Sequence, residues 1–416
     1  MNRRTALRAG AAAFGVPWQN ILAATTPALP DAALFGRDPE SYWKRIRDEQ
    51  FYLPAGRSFL NNGSLGVAPR PVLAAVADYL EKGAALETAD PYPRWGYETM
   101  DAHREELARF VGCSKDEIAL MHNATEANTT VATGLDLKAG DEVVMTDQEH
   151  PSGRAGWRLK EARYGVTVRE VKIPLPPKSP GQLADLLVSS IGPRTRVLMF
   201  SGMTSPTGLI MPIREISDAA RAKGVITMVD GAHMHGQMPL RLSDLHCDFF
   251  SGSPHKWMFA PAGCGFLYIR EEWLDRLWPL NVTGAWDDKS LKAGRFMRMG
   301  TNNRALFEGM LAGIKFAQAI GPERIYARIH QLARRTFERA RALPYIELLT
   351  PDDDRMFAAL VGISFKKDAS AVWQETAKQR IFVSGGQRMR LSSHIHTRPG
   401  DIDQLFDIIE AKLGKA

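Results

Sequence analysis

Two residues of this chain combine chemical type and setting in a way that points to one kind of chemistry. Asp230 stands in Val229-Asp230-Gly231-Ala232-His233, and Lys256 closes Ser253-Pro254-His255-Lys256. Each group follows a short apolar, strand-like run, and α/β folds gather their ligand sites at strand ends. A lysine that forms a Schiff base must be a nucleophilic amine, so burial or nearby cations must lower its pKa. A carboxylate facing a pyridine nitrogen keeps that nitrogen protonated, which turns the ring into an electron sink. An aspartate at one strand end and a lysine at another is the pair that pyridoxal phosphate chemistry requires. Taken singly, each is an ordinary turn aspartate or surface lysine.

The elements that must position this pair are legible as alternating patterns. Short apolar runs with strand character cover Ile118–Met121, Glu142–Thr146, Val166–Val171, Arg196–Ser201, Val225–Asp230, Asp248–Ser251 and Gly265–Ile269. Helical periodicity separates most of them, at Arg154–Tyr164, Ile213–Lys223 and in a segment opening near Thr125. Two further helices precede the strands: one begins at Pro71, which suits a first helical position, and one covers Glu98–Val111. Strands alternating with helices predict an α/β fold around a mostly parallel, seven-stranded sheet covered on both faces. From Asn303 the pattern becomes that of a smaller α+β unit. It has two long helices, an apolar run at Ala358–Phe365, a helix near Ser370–Gln379, a strand at Met389–Ser392 and a closing helix from Gly400. The expected divisions are a leader at 1–30, an arm at 31–70, a large cofactor-binding domain at 71–302 and a small domain at 303–416.

Composition narrows the function class. The chain has 416 residues, 44% hydrophobic and 24% charged, which is ordinary for a globular protein. The net charge is +6, but Arg3, Arg4 and Arg8 precede the first acid, Asp31. Beyond them basic and acidic residues alternate without a basic block, which argues against nucleic acid as a partner. The three cysteines, Cys113, Cys247 and Cys264, form no CxxC pair and support neither a disulfide framework nor a zinc ribbon. No apolar run reaches the ~18 residues that a membrane span needs.

The N-terminus reads as an address. Asn2-Arg3-Arg4-Thr5-Ala6-Leu7 resembles a twin-arginine export signal, followed by the small apolar stretch Ala9–Val16 and by alanines suited to cleavage. The expected partner is the twin-arginine export machinery, and the expected location is the periplasm or beyond it, or the cytoplasm if the segment is retained.

Asp-Gly-Ala-His, Ser-x-His-Lys and Pro261-Ala262-Gly263-Cys264-Gly265 together resemble the class V aminotransferase family of fold-type I pyridoxal phosphate enzymes. The resemblance continues in family order through Phe59–Gly66, which is similar to the opening motif of the isopenicillin N epimerase-like branch. It includes Asn123–Ala127, Glu149-His150, Arg298–Thr301 and Arg390–Ser392. The resemblance implies pyridoxal 5'-phosphate as cofactor and a homodimer with shared active sites. Ala124, Thr125 and Glu126, opening a helix, would hold the phosphate with their amides and the Thr125 hydroxyl. Ser253 and His255 would reach the same phosphate, and Thr301 would reach that of the other subunit. His150 would stack on the pyridine face, Asp230 would face its nitrogen, His233 would donate to the phenolic oxygen, and Ser205 would lie near the ring. Lys256 would be the catalytic residue, with Arg390 and Asn62 binding the substrate, Arg390 through a bidentate grip on its carboxylate.

The pairs His233-x-His235 and His394-x-His396 offer a rival reading as metal ligands. They lie in different expected domains and His233 has a cofactor role, so no metal is assigned. Trp257-Met258-Phe259 reads as packing near the lysine. The loop Phe382–Arg388 has no cysteine, whereas family desulfurases need a thiol there, so desulfuration by that route is not expected. What remains is a small-molecule amine substrate whose α-proton is removed. Epimerisation, transamination and elimination stay open, among them tailoring of a siderophore or other secondary metabolite. The residual alternative is a non-catalytic binding protein of the same fold.

Overall fold

The computed structural model describes residues 28–85 and 97–414. The arginine pair Arg3-Arg4 and the apolar stretch after it lie outside the described residues. An edge strand β1 (Ser58–Phe59) precedes seven strands that form one sheet: β2 (Ile118–Met121), β3 (Glu142–Thr146), β4 (Thr167–Val171), β5 (Thr195–Ser201), β6 (Ile226–Asp230), β7 (Phe249–Gly252) and β8 (Gly265–Ile269). Their order is β2-β8-β7-β6-β5-β3-β4. All neighbours are parallel except β8, which runs antiparallel to both β2 and β7. Strands β2, β3, β7 and β8 are buried at every residue. A parallel sheet covered on both faces demands such unbroken apolar runs, and that is why they were readable in the sequence.

Three of the helices between the strands start where a side chain caps them. Asn123 accepts from the Glu126 N–H at 2.9 Å and opens Ala124–Gly134; His150 accepts from Ser152 N–H at 3.2 Å and opens Pro151–Tyr164. Three helices went unpredicted: Ala32–Arg37, Pro39–Gln50 and Pro180–Ser189. Ser179 caps Pro180–Ser189, and Asp38 caps Pro39–Gln50 inside the stretch expected as an arm, 31–70. That second helix is part of the core, since Tyr42, Trp43, Ile46 and Arg47 are all buried.

After the large sheet come the helices Ala305–Ile320 and Pro322–Arg341 and the strands β9 (Ile346–Leu348), β10 (Leu360–Phe365), β11 (Ile381–Phe382) and β12 (Arg388–Ser392). Strands β12, β10 and β9 form an antiparallel sheet in that order. The chain closes with the helix Pro399–Leu413. Ile329 packs in the core of the large sheet and Leu332 in a second core with the small one, so the two cores meet inside one helix. The segment from 58 to 62 spans both units. β1 pairs with β11, and Asn62 N–H donates to the Ser392 carbonyl at 3.1 Å, which sets Asn61 and Ser64 beside Arg390 on β12. Among the described residues, no helix is long and apolar enough to cross a membrane.

Candidate active site

A cavity of about 290 Å³ opens at the carboxyl ends of β5, β6 and β7, the edge where α/β sheets place ligands. Asp230 ends β6, Ser201 ends β5, and Ser253 follows β7. The lysine is carried on the one-turn helix Pro254–Trp257. The backbone behind it is gripped closely. Gly66 N–H donates to the His255 carbonyl at 3.0 Å, and a Cβ at Gly66 would fall 2.3 Å from the Lys256 carbonyl oxygen.

Of the residues expected at the site, the cavity wall brings together Ala124, Thr125, His150, Ser205, Asp230, His233, Ser253, His255 and Lys256. Asp230 is buried, and each of its oxygens is engaged. One accepts from Ala232 N–H at 3.1 Å and Ser251 Oγ at 3.5 Å, the other from Asn128 Nδ2 at 3.0 Å. Gly153 lies directly over it, and a Cβ there would sit 2.9 Å from the carboxylate. Burial pushes the Lys256 ammonium down to about 8, with Asp230 pulling the other way and Arg390 adding to the fall. Its Nζ lies 3.1 Å from His233 Nε2. Burial, reinforced by Lys256 and Arg390, holds His233 neutral by pushing its pKa well down.

Arg390 stands beside the cavity. Its guanidinium donates to the Ser205 carbonyl and hydroxyl at 2.9 and 3.0 Å, to Asn61 Oδ1 at 3.1 Å and to Ser64 Oγ at 2.9 Å. No described carboxylate pairs with it, its Nε has no partner, and burial draws its pKa down to about 10. Ser205 and Ser64 line the cavity and anchor this cation at its rim. A buried guanidinium without a counter-charge is matched by an incoming carboxylate.

Two expected residues take other roles, and Thr301, expected at the partner's site, lies away from this cavity. Asn62 is fully buried behind the lysine: its Nδ2 donates to the Lys256 carbonyl at 2.6 Å and its Oδ1 faces His396 Nε2 at 3.3 Å. Its expected contact with substrate is corrected to a brace of the lysine's backbone, because both ends of its amide are committed there. Glu126 does not offer its amide to a phosphate, because that N–H is taken by the Asn123 cap; its carboxylate accepts from His122 N–H at 2.7 Å. Thr301 is exposed on a different surface cavity, beside Tyr97 and Arg304.

The histidine pairs are explained by packing. His235 has no partner for either ring nitrogen, lies between Phe250 and Phe266, and is pushed by burial to about 3. His394 and His396 are buried and back onto the lysine segment, His394 Nε2 lying 3.2 Å from the Trp257 carbonyl. Among the described residues, no group of three acidic, histidine or cysteine side chains could hold a metal. Trp257, Met258 and Phe259 are buried as expected.

Sequence reasoning missed Ser64, Asn128, Gly153 and Ser201, which also line the cavity. Asn128 had a signal, since it lies one helical turn beyond Ala124 and shares its face. The residues present fit pyridoxal 5'-phosphate. The Thr125 amide and hydroxyl at a helix start are a ready anion site, Asp230 stands at the inner wall, and the buried His255 Nδ1 has no protein partner.

A family model for class-V aminotransferases matches residues 59–399. The chain is 32% identical to an isopenicillin N epimerase of Streptomyces clavuligerus, over 90% of this chain and 99% of that one. It is 27% identical to a cysteine desulfurase of Haloferax volcanii, over 85% of this chain and 88% of the other. Among solved structures it is similar to a mutant of C-DES with glycine covalently linked to its pyridoxal phosphate cofactor. The TM-score is 0.76 at 25% identity, covering 85% of this chain and 96% of that one.

Proposed function

This chain belongs to the class V aminotransferase family of pyridoxal 5'-phosphate enzymes, and on that premise we propose that it acts at Cα of an amino-acid or peptide-like substrate with a free amine. The reaction proposed first is that of the isopenicillin N epimerases it resembles. One observation carries the reading: a lysine held toward its free-base form shares a cavity with Asp230, while Arg390 waits at the rim without a carboxylate.

The cofactor, when bound, supplies an electron-withdrawing ring that acidifies the substrate's Cα–H. Thr125, Ser253 and His255 would hold its phosphate, Asp230 its ring nitrogen, and His150 a ring face. Arg390 orients the substrate by its carboxylate. Lys256, whose Nζ is held toward its free-base form, would accept the α-proton there. Delivery of a proton to the opposite face of Cα would give the epimer, and passage of the proton to a departing β-substituent would give an elimination product.

A carbon–sulfur lyase is the second reading, favoured by the likeness to C-DES, which is described as a cystine C–S lyase. A persulfide on this chain is not part of the proposal. Cys113, Cys247 and Cys264 all lie outside the 382–388 loop, and burial pushes every one of their thiols up. The proposal also includes export through Arg3-Arg4 and a homodimer in which Thr301 serves the partner's site.

The test is a product screen of purified holoenzyme with D- and L-amino acids and peptides in D₂O, with and without 2-oxo acids. Deuterium at Cα with inversion and no need of an oxo acid supports epimerisation; release of a thiol or sulfide supports the lyase. No α-proton exchange with any amine would overturn the reading.

A further inference from the structure

We propose that Trp257 is a positioning residue that fixes the tautomer of His233, so that His233 always turns an N–H, never a lone pair, toward the Lys256 amine. The indole Nε1 of Trp257 lies 3.3 Å from His233 Nδ1. An indole N–H can only donate, so Nδ1 must offer its lone pair. A neutral imidazole then carries its single proton on Nε2, the atom 3.1 Å from Lys256 Nζ. Two donors cannot share that contact. The N–H of His233 is satisfied only when Lys256 presents a lone pair, which is the nucleophilic form the chemistry needs.

The indole is itself held. Trp257 is buried, and the His394 ring stacks on it with centroids 5.6 Å apart. Ile395 N–H donates to His394 Nδ1 at 2.8 Å, which leaves the His394 proton on Nε2 to bond the Trp257 carbonyl. Gly236 completes the seat: a Cβ there would lie 2.4 Å from the same carbonyl oxygen. On the other side Gln237 Nε2 bonds the His233 carbonyl. The charged and titratable groups around the pair are Asp230 from β6, Arg390 from β12, and His150 and His255 from the two flanking helix starts. Asp230 favours the lysine's ammonium and Arg390 opposes it. The tautomer therefore tips a balance that charge alone does not settle.

The inference rests on Lys256 being the reacting amine, but the tautomer belongs to the cofactor-free chain and is measured there. Long-range ¹H–¹⁵N correlation spectra of apoprotein labelled at histidine should show His233, identified by its loss in His233→Gln, as the pure Nε2–H form. In Trp257→Phe that purity should be lost. The pH at which Lys256 becomes reactive toward cyanate, followed by peptide mapping, should rise by about one unit, the shift that one ordinary hydrogen bond yields. Should Trp257→Phe fail to fold, the wild-type spectrum still decides. An Nδ1–H tautomer in wild type would overturn the proposal, as would a folded Trp257→Phe with unchanged tautomer and unchanged Lys256 profile.

Discussion

Glu149, next to His150, gives the sharpest test of how this site is built. The side chain is fully enclosed and sits behind Asp230. Ser201 Oγ donates to one oxygen at 2.6 Å and Thr146 Oγ1 to the other at 2.5 Å. Desolvation outweighs those bonds, and with the Asp230 charge adding to it the carboxyl is pushed up to about 7 from an ordinary 4.5. Between those two pH values the folded chain keeps a proton on Glu149 that the unfolded chain gives up. Stability from this group is therefore complete below 4.5 and is lost as pH rises toward 7 and beyond. At about 1.4 kcal/mol per pH unit, the loss is about 3 kcal/mol. Glu149→Gln keeps the shape and an acceptor but cannot ionise, so it escapes the loss. Urea unfolding of wild type and variant, at matched cofactor content from pH 5 to 8, isolates the effect, because the buried histidines contribute equally to both. The variant should gain about 2–3 kcal/mol on wild type across that range. Parallel pH profiles for the two proteins would refute the reasoning and mean that Glu149 is already ionised in the fold.

Arg390→Lys keeps the charge but loses the fork that Ser205, Asn61 and Ser64 hold, so binding of a carboxylate substrate should weaken by about 1–3 kcal/mol in competition assays, with cofactor absorbance unchanged. An amidated substrate should lose binding energy in wild type and almost none further in Arg390→Ala, which has no cation left to tell acid from amide. Asp230→Asn should leave the fold intact, since Ala232 N–H can donate to the new amide oxygen and Asn128, with its amide flipped, can accept from the new NH₂, while slowing α-proton exchange by orders of magnitude; wild-type exchange rates would remove its electronic role. Replacing Arg3 and Arg4 by lysine should hold the precursor in the cytoplasm in a fractionation experiment, and unchanged periplasmic recovery would defeat the export proposal.

The strands of the seven-stranded sheet were legible because most of them are short apolar runs buried on both faces, and their ends fall within a residue or two of the pattern. Two of the unpredicted helices, at Pro39 and Pro180, each carried a capping side chain followed by proline at the first helical position, a signal that was present and passed over. Strands β1 and β11 have two residues each and exist only through their pairing across the chain, which no local pattern reveals. The cavity followed the same rule. Lys256, Asp230 and His233 announce themselves by motif, whereas Ser201 and Gly153 are ordinary residues whose role comes from the strand end or helix start that carries them. Asn62 was misplaced because its motif lies close to the lysine in space, and only the structure shows that it faces the backbone and not the cavity.

The central claim is that Lys256, on its one-turn helix over the sheet edge, is the residue that binds the cofactor covalently. Borohydride reduction of the holoenzyme, proteolysis and mass mapping test it most directly. The account predicts loss of the visible absorbance and one pyridoxyl adduct, on the peptide containing Ser253-Pro254-His255-Lys256. A reduced adduct on any other lysine, or none at all, would contradict it.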